Sequence, residues 1–487
     1  MTENKDEKII IFITIDALRT DYLNSYGYNK NTAPNLEIFA RKGTIFTNAY
    51  TNGPETPSSF SSIFTSILPY LNGGYSPLPL EKITFPQILQ EYGIHTIGIH
   101  SNPNLSKFFN YDKGFDTFID GERYKLQQKA FKNVTKDLSD KQNIYSTINR
   151  ILNYRSFLNK LVFNLPGFNK IKHFIRKKIP KITDFLLPFT PMAYNAPYIV
   201  NKVINILKNT KAPLFLWMHF MDVHGPYNPP SEYVLKFREK DFTLAERNFL
   251  NKVVYFNKTK ITMENVENLK ILYNATIRFV DDALLKLFAY IRKSIKKDCL
   301  VIITADHGES FGEHDICGHL EIVYDELLRV PLVVSDIGKA DYVKKSDSFV
   351  QLLDIAPTIL DYFGINIPED YRGVSILPFL NGKKNERKEL LITECFKKDG
   401  FIKRNSKEGF KLISIRTHEW KYILDEEKNS EFLFDLKNDP LEKHNLIDEN
   451  NEELLKFRII RDHHLQKALV KDEKSKIVDT LKNLNID

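Results

Sequence analysis

The sequence predicts an α/β protein, with a large, mostly parallel sheet flanked by helices and a smaller C-terminal antiparallel sheet subdomain. Three observations carry that expectation. Apolar runs of strand length recur, they alternate with helix-patterned stretches, and past about residue 385 the pattern changes to short alternating segments. KIIIFITIDALRTDYL opens on an apolar run that ends at Asp16, which reads as a buried central strand delivering its carboxyl end to solvent. PSSFSSIFTSIL reads as a helix after Pro57, and TFPQILQEYGIHTIGIHS as a helix followed by a strand. APLFLWMHFMDVHGPY is another buried strand ending in polar residues, and CLVIITADHG and VPLVVSD suggest two more. Strands separated by helical patterns imply a mostly parallel sheet covered on both faces. KLISIRTHEWKYIL and SEFLFDL look antiparallel, and the charged end, 451–487, reads as an exposed helix. The expected units are a main α/β domain over 1–384 with a basic insertion at about 121–195, an antiparallel subdomain over 385–448 and a charged helical tail over 449–487.

Composition narrows the class. With 487 residues, 42% hydrophobic and 27% charged, the chain has material for a large core, so disorder, collagen and coiled coil are excluded as the main state. No apolar run approaches the roughly 20 residues needed to cross a bilayer. MTENKDEK enters the first strand without the apolar stretch of a secretory signal, so a cytoplasmic protein is expected. Cys299, Cys317 and Cys395 are widely spaced, against a disulfide framework or a Cys-rich zinc site. The net charge is +7, yet Lys141 to Thr190 alone carries +9, ten cations against Asp184. Within it, residues 160–187 interleave Phe168, Ile171, Phe174, Ile175, Ile179 and Ile182 with Lys and Arg. Two readings stay open: a solvated insertion whose apolar face packs on the main domain, and a segment in peripheral contact with an anionic membrane surface. No recognised nucleic-acid module surrounds the patch, so nucleic acid is not an expected partner.

Reactive residue types gather at strand ends. These are Asp16, Thr56 between Pro54 and Pro57, the Asp222 and His224 pair, and TADHGESFGEHDICGH with Asp306, His307, His314 and His319. Functional side chains in open α/β sheets collect at such ends. Asp306 and His307 offer hard oxygen and imidazole donors from one turn, and Asp16 adds a carboxylate, a set that suits zinc or manganese. A lone Asp-His dipeptide is more often a capping Asp beside a satisfied His, and only the company of the other strand-end residues changes its meaning.

At the level of motifs the chain resembles the sulfatase family of the alkaline phosphatase superfamily. The resemblance rests on IDALRTDYLNSYGYNKNTAPNLEIFARKGTIFTNAYTNGPETPSSFSSIFTS, SNPNLSKFFNYDKGFDTF, MDVHGPYNPP and TADHGESFGEH, in that order, with YNATIRFVDD, YDELLRVPLVV, QLLDIAPTILDYFGI and FLFDLKNDPLEKHNL agreeing further on. It implies an alkaline phosphatase-like fold, a nucleophile at Thr56, and one divalent ion, Mn, Zn or Ca, held by Asp16, Thr56, Asp306 and His307. His224 and His319 match positions that contact the oxygens of the transferred group, one of them protonating the leaving group, with Asn102 as a further substrate-binding donor; Glu309 and His314 are read as orienting the ligands. Sulfatases proper carry Cys or Ser at the nucleophile position, followed by Pro and Arg, in a cassette converted to formylglycine. This chain reads Thr56, Pro57, Ser58, Ser59, Phe60, with Ser66 where the family has a Gly. Thr cannot become formylglycine, so no formylglycine is expected.

A formylglycine hydrate has a second hydroxyl with which to expel sulfate, whereas Thr56 has one, and its covalent intermediate must be released by an outside acceptor. That favours a metal-dependent hydrolase of phosphate or sulfate esters, leaning to phosphodiester or phosphomonoester, on a small-molecule, glycan or lipid ester substrate. Two alternatives remain: a transferase passing the same group to a sugar or lipid hydroxyl, and a catalytically silent binding protein.

Overall fold

Of the seven residues IIIFITI in β1 (Ile9–Ile15), all but the first are buried, so both faces of this strand must be covered. The computed structural model describes residues 7–72, 77–121, 194–256, 262–295, 298–319, 322–338, 344–380, 389–396, 412–449 and 452–465. β1 pairs in parallel with β5 (Leu214–Phe220) on one side and β6 (Cys299–Ala305) on the other, both buried throughout. β3 (His95–His100) and β4 (Thr117–Ile119) continue the sheet beyond β5; β9 (Leu332–Ile337), β2 (Thr44–Tyr50) and β10 (Lys344–Gln351) continue it beyond β6. Only β9 runs against the rest, pairing antiparallel with both β6 and β2. A short hairpin, β7 (Ser310–Phe311) with β8 (Cys317–Gly318), follows β6.

Helices cover both faces. On one side α1 (Pro34–Ala40), α4 (Ala196–Asn209) and the long α6 (Met263–Ser294) pack together, with α5 (Leu244–Phe256) beside α6. On the other lie α2 (Thr56–Thr65), α3 (Phe85–Glu91) and α7 (Ile355–Tyr362). Every residue of α2 is buried, and Phe60 and Phe64 set their rings against Trp217 of β5 at 5.4 and 5.2 Å. Contacts of this kind are worth roughly 0.5–1.5 kcal/mol beyond the area they bury, and they fix how α2 lies on the sheet.

A second sheet, β11 (Leu391–Cys395), β12 (Leu412–Arg416), β13 (Trp420–Asp425) and β14 (Ser430–Asp435), is antiparallel throughout. Its Leu391, Leu412, Ile423 and Phe434 share a core with Tyr50 and Phe349 of the first sheet's edge and with Leu328 of a short helical turn. The stretch 452–465 is helical but, against expectation, not simply exposed. Leu454 and Phe457 are buried against Ile413, Ile415, Tyr422 and Leu433, because two apolar residues three apart on a helix share one face. Residues 160–187, and with them both readings of the basic insertion, lie outside the described residues. Among the described residues no helix is long and apolar enough to cross a membrane.

Candidate functional site

Parallel, in-register pairing brings the carboxyl ends of four strands to one edge. Ile15 stands opposite Phe220 and Ala305, and His100 opposite His219, so Asp16, Asp306 and the loop carrying Asn102 emerge side by side. The turn after β1 is held open by a left-handed residue, Ala17 (φ 57°), whose carbonyl accepts from the Tyr273 hydroxyl of α6 at 2.7 Å. Ala17 N–H and His307 N–H both donate to Asp306 Oδ1, at 3.3 and 3.0 Å. Gly308 follows because the Glu326 carbonyl lies where any Cβ would stand. Across the sheet edge Thr56 opens α2, and its Oγ1 lies 3.5 Å from Asp16 Oδ2, 3.4 Å from His307 Nε2 and 3.4 Å from Asn102 Nδ2.

Three potential ligand atoms face one another here. Asp16 Oδ1 and Asp306 Oδ2 are buried without a hydrogen bond, and they lie 3.5 and 3.7 Å from His307 Nε2. His307 Nδ1 faces the Gly308 carbonyl at 2.7 Å, which places the ring hydrogen there and leaves the Nε2 lone pair toward the carboxylates. Asp16, Asp306 and His307 are fully buried. Uncompensated carboxylates at zero exposure are strongly disfavoured, and a divalent cation is the compensation that oxygen and imidazole donors of this kind accept. Asp16, His219 and Asp306 also each offer an atom within 4.8 Å of the others. Burial raises the Asp16 carboxyl, but His224, His219 and His307 outweigh it and hold Asp16 well below the usual carboxylate range. Asp306 is pushed up by burial and by Asp16's charge. Burial lowers His307, yet Asp306 and Asp16 together carry it above its ordinary value.

Beside this cluster lies a histidine pair. His224 Nε2 is 3.3 Å from His319 Nε2, and the His319 ring centroid is 4.6 Å from that of His307. His319 Nδ1 faces Glu309 Oε1 at 3.1 Å, and Glu309 Oε2 accepts from the Tyr227 hydroxyl at 2.8 Å. Burial brings His319 down to about 4 even though Glu309 opposes it. Burial would raise Glu309, but His319 holds it below its ordinary value.

Asp16, Thr56, Asn102, Asp306 and His307 therefore stand within one shell, with His224 and His319 adjoining. His314 does not join them. Its Nδ1 pairs with Glu326 Oε1 at 3.0 Å, its Nε2 bonds the Glu442 carbonyl at 3.0 Å, and its ring stacks on Tyr324, so it ties a turn to the second sheet's loop instead of orienting ligands. Glu309 orients a residue of the histidine pair and not a residue of the carboxylate cluster. Asp222 Oδ1 accepts from Ala196 N–H at the start of α4, so its part is at a helix terminus. His219 was missed by sequence reasoning, although a lone imidazole inside LFLWMHF was the available signal.

An open, mostly parallel α/β sheet with its reactive cluster at the carboxyl edge is the architecture in which such sheets place their active sites. The Sulfatase family profile matches residues 8–365, and that of the N-sulphoglucosamine sulphohydrolase C-terminal region matches 312–471. The chain belongs to the sulfatase family. It is 25% identical to an arylsulfatase of Clostridium perfringens (strain 13 / Type A) over 488 residues, covering 95% of this chain and 94% of that one. Among solved structures, the phosphonate monoester hydrolase of Agrobacterium radiobacter superposes with a TM-score of 0.66 at 18% identity, covering 96% of each chain. BT4656, solved with D-glucosamine-2-N,6-O-disulfate, superposes with a TM-score of 0.65 at 19% identity, covering 95% of this chain and 98% of its own.

Proposed function

We propose that the chain cleaves phosphoric esters, phosphodiesters or phosphomonoesters, through a covalent intermediate on Thr56. The observation that carries this reading is the position of Thr56 Oγ1 at the head of α2, 3.4 Å from His307 Nε2 and 3.5 Å from Asp16 Oδ2. Thr56 closes the aldehyde-hydrate route and leaves a two-step displacement open. Asp16, Thr56, Asp306 and His307 would hold one divalent ion, which supplies charge that lowers the pKa of a hydroxyl and neutralises the oxygens of a transferred group.

This chain's own residues hold the ester and pass the leaving group its proton. Asn102 Nδ2, 3.4 Å from Thr56 Oγ1, is placed to donate to an oxygen of the bound ester, and the Thr56 hydroxyl gives up its proton to solvent. His224 Nδ1 faces the Gly225 carbonyl and His319 Nδ1 faces Glu309, so the two Nε2 atoms, 3.3 Å apart, are the positions left to pass a proton to a leaving group. In the first step Thr56 Oγ1, its proton lost to solvent, bonds to phosphorus as the ester P–O bond breaks, and the alcohol leaves with a proton delivered through a histidine Nε2. In the second, water attacks the phosphothreonine and gives a proton back to the histidine pair, and Thr56 Oγ1 departs and is reprotonated from solvent. The likeness to a phosphonate monoester hydrolase supports phosphorus as the reacting centre; the likeness to an arylsulfatase makes sulfate esters the competitor to measure.

A panel of aryl sulfate, phosphate monoester, phosphodiester and phosphonate substrates with added Mn²⁺ tests this. The expected result is preferential turnover of a phosphate ester, a phosphothreonine peptide at Thr56 after acid quench, and a loss of at least ~10³-fold in Thr56→Ala with unchanged melting. Comparable turnover by Thr56→Ala, or a clear preference for the sulfate ester, overturns it.

A further inference from the structure

We propose that His219 is a positioning residue of the cation centre, holding one carboxylate oxygen of Asp16 so that the other faces the ion, and is not itself a ligand. The inference rests on Asp16, Thr56, Asp306 and His307 being the residues that hold the cation.

β5 is apolar but for His219, whose ring is fully buried. An imidazole so placed is costly unless both nitrogens find partners, and both do. Nε2 lies 3.2 Å from Asp16 Oδ2, and Nδ1 lies 2.9 Å from Thr14 Oγ1. The direction of that chain is set one residue further out. Trp217 Nε1, which can only donate, gives its hydrogen to Thr14 Oγ1 at 3.0 Å. The Thr14 hydroxyl then has His219 Nδ1 at 2.9 Å and the Met218 carbonyl, less close, at 3.2 Å. Donation to Nδ1 puts the ring hydrogen on Nε2, where it points at Asp16 Oδ2.

Asn102 Nδ2 donates to the same Oδ2 at 2.9 Å. With these donors at 3.2 and 2.9 Å and the Thr56 hydroxyl further off at 3.5 Å, all on Oδ2, Oδ1 keeps its lone pairs free, and Oδ1 is the atom beside His307 Nε2 that carries no hydrogen bond. Packing fixes the ring plane as well. Phe60 meets the His219 ring edge-on at 5.1 Å and 88°, from the position where the formylglycine cassette carries an Arg. An apolar wall there leaves Asn102 and His219 as the groups that grip Asp16. In the opposite tautomer, Nδ1–H would donate to Thr14 and the Nε2 lone pair would be a further ligand; the two arrangements place different numbers of imidazoles on the ion.

The test is Mn²⁺ binding to the full-length protein by calorimetry, with nitrogen couplings counted by electron spin-echo spectroscopy of the Mn²⁺-loaded form. His219→Leu and Thr14→Val should each weaken Mn²⁺ binding, by about 10- to 100-fold for the former, as loss of an outer hydrogen bond to a ligand does. His219→Gln, which keeps an N–H donor of similar reach, should bind within about threefold of wild type, and one imidazole nitrogen should be seen in both. Should His219→Leu not fold, Thr14→Val carries the same measurement. Two imidazole nitrogens in wild type with one lost in His219→Gln overturn the proposal, as do wild-type affinities in the Leu and Val variants. A wild-type protein that binds no Mn²⁺ at all instead overturns the reading beneath it.

Discussion

At the residue scale, what separates Thr56 from an ordinary helix-capping threonine is the set of atoms around its oxygen. A cap hydroxyl turns to the N–H groups of its own helix, whereas Thr56 Oγ1 turns outward, to Asp16, Asn102 and His307 on three other segments. Similar reasoning separates residues that touch substrate from those that act through a neighbour. Glu309 touches His319 and Tyr227, so Glu309→Gln should lower kcat by about tenfold while leaving KM nearly unchanged. Steady-state kinetics on the preferred ester would show it, and a KM effect as large as the kcat effect would place Glu309 at the substrate instead. His219 was hidden at this scale because a single polar residue in an apolar strand has the same sequence signature whether it serves the site or merely finds a partner in the core.

At the scale of elements, the site is an edge of one sheet plus the first turn of α2. Apolar runs and helix patterns placed β1, β3, β5, β6, α2 and α3 in the sequence, because burial on both faces leaves a central strand almost wholly apolar. The direction of β9 was not readable. VPLVVSD is equally apolar in either orientation, and only its pairing with β6 and β2 shows that it runs backwards. What docks α2 is aromatic packing, with Phe60 fully buried against Trp217, Phe64 and His219. Phe60→Ala should therefore cost about 3–5 kcal/mol, read as a lower urea midpoint, and should reduce turnover more than the stability loss alone accounts for. A variant within about 1 kcal/mol of wild type would mean that the cavity collapses without moving α2.

For the whole molecule, the junction between the two sheets is a buried ion network. Lys421 of β13, fully buried, pairs with Asp325 at 2.9 Å and Glu442 at 2.6 Å, and Arg416 of β12 pairs with Asp325 at 2.8 Å. Removing Lys421 leaves Glu442 buried without its cation and Asp325 with Arg416 alone, so Lys421→Met should destabilise by about 3–5 kcal/mol in denaturant titrations. His314 adds a pH-dependent component. Burial lowers it, but Glu326 and the nearby Glu442 raise it above its ordinary 6.5 in the folded protein. A raised folded value means that its contribution is fully present below about pH 6.5 and fades as pH climbs through that raised value. Urea midpoints at pH 6 and pH 8.5 should differ less in His314→Gln than in wild type, and an unchanged difference would remove His314 as a source of the slope.

The sequence by itself determined the class of fold, the strands of the sheet's middle and most of the reactive cluster, because hydrophobic periodicity and a handful of ordered motifs are local properties of the chain. Asp16, Thr56, Asn102, Asp306 and His307 were legible in that way. Tertiary structure alone decided that His314 serves the junction, that Asp222 serves a helix terminus and that His219 grips Asp16. Each of those outcomes depends on which atoms from distant segments come within about 3 Å, the reach of a hydrogen bond, and residue type and spacing carry no record of that distance.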